Sequence, residues 1–423
     1  VARPVSIGIL GLGTVGTGLV ELIKRNARLI EEKSDVALSV RRALVKEKAK
    51  ARPLDEKLVT TVVDEVFNDP EISIVVELIG GIEPARTFIL RALEAGKSVV
   101  TANKAVLAAH GDELFAAAAK NRRQIGFEAS VCGGIPIIRA LSGGMIANRI
   151  DMLCGILNGT TNYILTRMQE EGLPYAAALR QAQELGLAEA DPTLDVKGID
   201  TAHKLLILSE LAFQTKASID EILVEGIDHL DQEDIRTARD FDFVVKLVAV
   251  GRREGDRLDL RVHPALISNG HPLSSVRNEF NAVLVKGDAT GEMIFYGKGA
   301  GSLPTASAVL SDIVEIARNP SSNGSWVPGR SAKLSPVEGE SRYYLRFPIH
   351  DLPGVIGLIT TALGNHQVSI THALATLVRD KNNYGNVKIV THRTRESTIR
   401  KALTEIGRLP ILTARPIAVR IFE

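Results

Sequence analysis

The pattern that most limits what this chain can fold into is an alternating apolar run, Val5 to Leu10. It ends in Gly11-Leu12-Gly13-Thr14-Val15-Gly16 and passes directly into a helical periodicity reaching about Ile30. A strand led through three closely spaced glycines into a helix turns tightly enough for the backbone to approach a pyrophosphate, with the positive end of the helix aimed at it. Gly11, Gly13 and Gly16 are therefore read as a dinucleotide-binding turn, with the main-chain N–H groups of Thr14 and Val15 on the phosphates. A bare glycine pattern would be weak; its place between a strand and a helix gives it weight.

Further strand patterns follow at Leu38–Val45, Ile72–Leu78, Ser98–Ala102 and Gln124–Phe127, with helical stretches at Pro84–Ala95 and Asp112–Asn121. This alternation predicts a Rossmann-type, doubly wound parallel sheet over residues 1–135. At 423 residues the chain needs two or three cores. After Pro136 the pattern changes to helices at Tyr163–Glu170, Tyr175–Leu185 and Val196–Phe213, then extended runs at Phe243–Gly251, Arg257–Leu266 and Ala282–Val285. Residues 136–318 read as a mixed α+β substrate-binding and dimerisation domain whose last helix, Thr305–Arg318, returns to the first domain. The Ser-, Gly-, Pro- and Asn-rich stretch 319–340 reads as a linker. Residues 341–423 suggest a compact βαββαβ unit.

A formal charge of +1 supplies no basic field for nucleic acid, and no apolar run approaches the roughly 18 residues a membrane span needs. The first residues enter a strand pattern at once, which leaves no room for a signal peptide, so the expected location is the cytoplasm and the expected partner a small molecule. Cys132 and Cys154 support neither a disulfide framework nor a zinc site.

At the end of the second strand pattern, where an acid would hold the ribose of NAD, the chain has Lys46, with Lys48, Lys50 and Arg52 beyond. A 2′-phosphate would be welcome there, which favours NADP over NAD; Glu47 keeps NAD open. Lys104 follows Val99-Val100-Thr101-Ala102-Asn103, at the carboxyl end of a strand, where it should face the nicotinamide. In Phe127-Glu128-Ala129-Ser130-Val131-Cys132-Gly133-Gly134-Ile135-Pro136, one acid precedes a glycine-allowed turn that could present several carbonyl oxygens beside a carboxylate, as hard cations require. After Asp195, the residues Asp200, Lys204, Ile207 and Leu211 recur at spacings of four, three and four, so an acid and a base continue an apolar helix stripe inward. A lysine so placed beside a carboxylate can have its proton affinity adjusted for acid/base work.

Taken together, these residues resemble the homoserine dehydrogenase family. The resemblance runs in order through Gly11–Gly16, Thr101–Ala105, Phe127–Pro136, Leu157-Asn158-Gly159-Thr160-Thr161-Asn162-Tyr163-Ile164, the block Ala188–Lys204 and Tyr296–Gly301. It implies that Lys204 donates and accepts the proton at the substrate oxygen, with Asp200 holding homoserine and supporting the lysine. It implies further that Glu189 binds the substrate ammonium, that Thr160 lies in the substrate pocket, and that Lys104 lies beside both substrate and nicotinamide. Thr101, Gly186 and Gly301 are the further cofactor contacts. Glu128 and the carbonyls of Val131, Gly133 and Ile135 match a monovalent cation site for Na+ or K+. The segment Ile349–Gly357 resembles ACT-type amino-acid-sensing domains, with Asp351 and Gly354 at the turn where a helix N-terminus could hold an effector carboxylate. Threonine is the expected effector, a homodimer or homotetramer the expected assembly, and a chain ending near Glu340 the expected active but insensitive form.

Two other readings compete. Cys132 after a dinucleotide domain could be the thiolate of a phosphorylating aldehyde dehydrogenase with His203 as base, or the chain could be a non-catalytic sensor, although no basic recognition helix supplies an output. The cofactor reading is open to direct measurement. Lys46→Asp should raise the KM for NADP more than that for NAD, and equal effects on both would make Lys46 an ordinary surface lysine.

Overall fold

Strands buried on both faces are what parallel sheets require, and the three central runs of the first domain meet that condition, as Ile7, Ile9, Ile74, Val75, Val76, Val99 and Val100 are all buried. The computed structural model describes residues 2–47, 53–255, 257–321, 330–331, 333–334, 340–378 and 384–422. Lys48, Lys50, Arg52 and most of 319–340 lie outside these. The strands Val59–Thr60, Val36–Leu44, Arg3–Leu10, Ile72–Glu77, Ser98–Thr101 and Ile125–Gly126 form one sheet in that spatial order, every pair parallel. Sheet growth therefore reverses between Arg3–Leu10 and Ile72–Glu77, which opens a crevice at their carboxyl ends. Helices Ala85–Glu94 and Lys104–Lys120 cover one face, while Thr14–Arg25 and Ser302–Arg318 pack together on the other.

The helix expected from Val15 to Ile30 is two helices, Thr14–Arg25 and Ala27–Ser34, broken at Asn26. The buried stripe ends at Ile23, and the second helix buries nothing. The helix expected from Asp112 begins at Lys104 instead and is kinked at His110, because Asn103 caps it by accepting from Val106 N at 3.3 Å. The stretch 196–213 is likewise interrupted, giving Thr193–Val196 and Ile199–Phe213 on either side of Gly198 in a left-handed conformation (φ 82°).

The remainder builds a 12-stranded mixed sheet. Its middle portion runs Gly291–Lys298, Phe280–Gly287, Ile150–Ile156, Phe243–Glu254, Arg257–Ser268, and it continues without interruption into Ile417–Phe422, Glu340–His350, Tyr384–Thr391 and Ile370–Val378. The first and third of these middle strands, and helix Gln232–Asp240, were not foreseen from the sequence. Within the expected linker 319–340, Arg330–Ser331 pairs with Thr215–Lys216, and Lys333–Leu334 pairs with Arg257–Leu258. Residues 330–331 and 333–334 are thus held by backbone pairing.

The C-terminal unit has the order strand, helix, strand, strand, helix, strand, with its fourth strand beside the first and its third between first and second. One face buries Leu345, Phe347, Ile349, Ile359, Leu363 and Ile389. The other receives helix Gln232–Asp240, where Arg346 Nε donates to Asp234 Oδ1 and Arg346 Nη2 to Asp231 Oδ2, both at 2.7 Å. Lys388 pairs with Glu233 in the same interface. Among the described residues no helix is long and apolar enough to cross a membrane. Arg346→Met would leave Asp234, 2% exposed, without its cation. Breaking a buried pair in this way costs about 3–5 kcal/mol, so the urea midpoint should fall, and an unchanged midpoint would show that the pair adds no net stability.

Candidate active site

The crevice is lined first by the glycine turn. Gly11 has φ 102°, and a Cβ there would lie 2.8 Å from Leu78 O, while one at Gly16 would lie 2.3 Å from Gly11 O. At Gly13, by contrast, nothing stands within 4 Å. Helix Thr14–Arg25 starts there with no side-chain cap, so the N–H groups at Thr14 and Val15 are open to an anion. Gly301 (φ 116°) ends beside this turn: it precedes helix Ser302–Arg318, and Ser302 Oγ donates to Thr14 O at 2.8 Å. Lys46 is exposed just past the second strand.

A buried acid shapes the next wall. Glu77, 0% exposed at the end of its strand, accepts from Thr101 Oγ1 at 2.6 Å and from the N–H groups of Ile79 and Gly80. Thr101 Oγ1 in turn accepts from Asn103 N at 3.0 Å, and Asn103 Nδ2 donates to Gly81 O. The hydroxyl of Thr101 is therefore committed to the loop, and any cofactor contact at this position falls to its main chain. The sequence reading missed Glu77; an acid closing an apolar strand just before Gly80-Gly81 was the available signal.

Three elements then bring polar groups to one point. Asp200, in the first turn of helix Ile199–Phe213, has Lys104 Nζ 3.0 Å from Oδ1 and Lys204 Nζ 2.8 Å from Oδ2. Lys204 also donates to Leu157 O at 2.7 Å. Asn158 Nδ2, at the start of helix Gly159–Glu170, donates to Asp200 Oδ2 at 2.8 Å and to Asp195 Oδ1 at 2.6 Å. Burial alone would raise the pKa of Asp200, but Lys204 and Lys104 outweigh it and hold the carboxyl well below the usual range. Burial lowers and Asp200 raises the pKa of Lys204, and the balance lies above the ordinary lysine value. Asp195, half-buried without a lysine in contact, is shifted upward by its partial burial. Asn158 and Asp195 lie within recognisable motifs but were not singled out; an amide between two distant acids is visible only in three dimensions.

The other expected residues divide. Thr160 Oγ1 donates to Leu187 O at 2.6 Å and so ties down the loop that carries Gly186 and Glu189. Glu189 itself is exposed, with its main-chain oxygen accepting from Gln183, and Gly186 sits in an exposed left-handed turn (φ 71°). Neither reaches the lysine cluster. Glu128 accepts from Ile138 N at 2.8 Å and Arg139 N at 2.9 Å, yet burial still pushes it up to about 7. The loop after it turns through Cys132 (φ 55°) and Gly133 (φ 41°); Ile135 O accepts from Ile137 N, and no described hydrogen bond engages the carbonyls of Val131 or Gly133. Cys132 is buried, its thiol pushed up by that burial, and its described partner is the Asn281 amide rather than His203. That does not suit a thiolate nucleophile. Far from this centre, Gly354 (φ 87°) precedes helix Val355–Asn365 and Asp351 is exposed nearby.

An uncapped helix end able to take a dinucleotide phosphate, and a lysine held by a carboxylate, together suit hydride transfer coupled to proton transfer, the chemistry of an NAD(P)-dependent oxidoreductase. Similarity to known proteins then narrows the class. A family model described as the homoserine dehydrogenase NAD binding domain matches residues 11–128, and one described as homoserine dehydrogenase matches residues 136–314. A homoserine dehydrogenase of Bacillus subtilis is 39% identical over 97% of this chain and 96% of its own. The crystal structure of one from Thiobacillus denitrificans is 41% identical with a TM-score of 0.93, covering 100% of this chain and 99% of that one. A shorter hyperthermophilic archaeal homoserine dehydrogenase, solved in complex with NADPH, is 28% identical with a TM-score of 0.63 and is matched over 98% of its length by 74% of this chain. The chain belongs to the homoserine dehydrogenase family.

The Asn158 bridge can be tested by substitution, although Asn158 Oδ1 also caps helix Gly159–Glu170 by accepting from Thr161 N at 2.8 Å. Asn158→Ala removes hydrogen bonds to two carboxylates, each worth about 1.5–3 kcal/mol, so kcat/KM for the substrate should fall by one to two orders of magnitude, roughly. An unchanged kcat/KM would show that Asp200 needs no support from this side.

Proposed function

We propose that the chain interconverts L-homoserine and L-aspartate 4-semialdehyde, with Lys204 exchanging the proton of the reacting oxygen. The observation that carries this reading is Asp200 held between Lys104 and Lys204 at the mouth of the dinucleotide crevice. A nicotinamide cofactor, held at the Gly11–Gly16 turn and bordered by Lys104, would supply the hydride chemistry at the substrate's aldehyde/alcohol carbon. In the reducing direction, the Lys204 ammonium gives a proton to the substrate oxygen as the C–O bond order falls; in the oxidising direction, its neutral amine takes that proton back. Asp200 keeps Lys204 in reach and orients the substrate, Lys104 borders substrate and nicotinamide, and Thr160 fixes the loop from which Glu189 meets the substrate ammonium. Glu189 is exposed, so this contact requires the loop to close over bound substrate.

The finer assignments rest on particular features. Lys46, exposed past the second strand, supports NADP as the preferred cofactor, with NAD as the alternative. A buried Glu128 without a cationic partner in contact, beside the open carbonyls of Val131 and Gly133, fits Na+ or K+, which would complete the carboxylate's neutralisation; Ile135 O would join as it relaxes its bond to Ile137. The outer strand Gly291–Lys298 exposes Met293, Ile294 and Tyr296, which supports a homodimer or homotetramer built through this sheet. Two buried free cysteines suit the cytoplasm. In the C-terminal unit, the uncapped helix at Gly354, near Asp351, supports an ACT-like domain that binds an amino acid such as threonine.

Truncation near Glu340, attractive from sequence alone, is the wrong test of regulation. It would strip Ile417–Phe422 from Arg257–Ser268 and leave Asp234 without Arg346. Steady-state kinetics of the full chain with homoserine, NADP and NAD, with and without threonine, is the better measurement. Lys204→Ala should lower kcat by about 10²–10⁴-fold, the usual share of proton transfer. A variant keeping more than about half of the parental kcat would remove Lys204 from the chemistry.

A further inference from the structure

Strand Ile417–Phe422 joins Arg257–Ser268 in parallel and places Arg420 opposite Ala265. The Arg420 side chain is nearly buried, at 8% exposure, and grips carboxylates on two different elements. Its Nη1 donates to Glu225 Oε2 at 2.8 Å and its Nη2 to Glu396 Oε1 at 2.7 Å. Arg261, on the neighbouring strand, pairs with Glu396 and with Asp259 in the same network. Glu225 follows the short strand Leu223–Val224, and its own N–H donates to Val262 O at 2.8 Å.

The residues next to Glu225 touch the beginning of the helix that bears Asp200 and Lys204. Gly226 lies so close to it that a Cβ there would fall 2.2 Å from Val196 O and 2.6 Å from Lys197 Cα. Ile227 N donates to Val196 O at 2.8 Å, and Lys197 Nζ to Asp228 Oδ2 at 2.6 Å. Gly198, the left-handed residue from which the helix starts, faces Val262 and Val224 at 3.0 and 3.3 Å from where its Cβ would be. The residues Val196–Gly198, from which the helix starts, thus rest on the segment Val224–Asp228, and that segment is held from the C-terminal unit by the Arg420 guanidinium.

We propose that Arg420 is a positioning residue for hydride transfer: through Glu225 and the close-packed Gly226 it fixes where helix Ile199–Phe213 begins, and hence where Asp200 and Lys204 meet the substrate. This inference rests on the reading of Asp200 and Lys204 as the reacting pair. A helix moves as a rigid piece, so a shift at Gly198 is carried to Asp200 and Lys204, and displacements near 1 Å matter greatly to a reacting geometry. Contact through packed backbone carries such a shift without any side chain of the C-terminal unit entering the crevice.

The test uses the full chain, homoserine and NADP. Arg420→Met should lower kcat roughly tenfold and raise the KM for homoserine while the KM for NADP stays at the parental value, because only the substrate-side helix is displaced. Arg420→Lys, with a point charge in place of a two-sided fork, should recover part of the lost kcat. Glu225→Gln should cost less in the Arg420→Met background than in the parent, since both act through one contact. Arg400→Met, which removes an exposed partner of the same Glu396, serves as the control and should keep parental kinetics. If Arg420→Met melts at lower temperature but keeps kcat within about twofold of the parent, Arg420 only braces the fold and the proposal is wrong. Should the Met variant fail to fold, Arg420→Lys decides: parental kcat and homoserine KM overturn the proposal, and a reduced kcat with unchanged NADP KM upholds it. Lys204→Ala assayed alongside keeps the two claims apart, because an active Lys204→Ala overturns the chemistry, whereas an inactive one beside a normal Arg420→Met overturns only the positioning.

Discussion

The carboxylate of Asp200 is the interaction on which the rest of the molecule depends. Its two oxygens receive ammonium groups from two different helices and an amide from a third. Asp200 and Lys204, both largely buried, would not be stable as lone ions, because an isolated buried ion carries a desolvation cost that only a well-placed partner offsets. Lys104 belongs to the parallel sheet's helix layer, whereas Asn158, Asp200 and Lys204 belong to the mixed-sheet domain. The charge cluster is therefore also the seam between the two domains. One set of hydrogen bonds joins the crevice of the first domain to the second and holds Lys204 in place.

Neighbouring acids in the same crevice show how environment alone assigns different states to one functional group. Asp200 touches two cations and stays ionised, while Asp195, bonded to the same Asn158 amide but out of contact with a lysine, is shifted the other way. Glu128 has two N–H donors and is still raised to about 7, because hydrogen bonds from a short helix start do not replace a full charge. Glu77, fully buried, satisfies both oxygens with a hydroxyl and loop N–H groups, and its work is architectural. An acid in this crevice is thus understood from its donors.

Much of this was legible in the chain itself, for reasons that can be stated residue by residue. The parallel sheet is visible because its central strands are apolar on both faces, and the phosphate turn because Gly11 and Gly16 admit no side chain. The inward stripe of Asp200, Lys204 and Ile207 survives as a helix because its spacing matches the helical repeat. Strand Gly291–Lys298 escaped because it is an outer strand with exposed residues, and helix Gln232–Asp240 because it is polar nearly all round. That helix persists through its Asp231 cap and through Arg346 and Lys388, which arrive from far along the chain. Asn158 and Asp195 escaped for the same reason: the acids and amide they meet are set by tertiary contact, which no local period encodes.

The parallel pairing of Ile417–Phe422 with Arg257–Ser268 has a consequence for how the protein comes into being. On the ribosome, the edge of Arg257–Ser268 emerges long before the strand that covers it, and part of it is left with unpaired backbone groups in the interval. An apolar edge in that state is a template for pairing with the wrong chain. Closing it requires a contact of high sequence separation, which is slow to form. The nascent chain thus passes through a vulnerable interval in which its dinucleotide domain has strands enough to fold while its largest sheet is still open, and yield in the cell would be governed by how quickly that edge is closed.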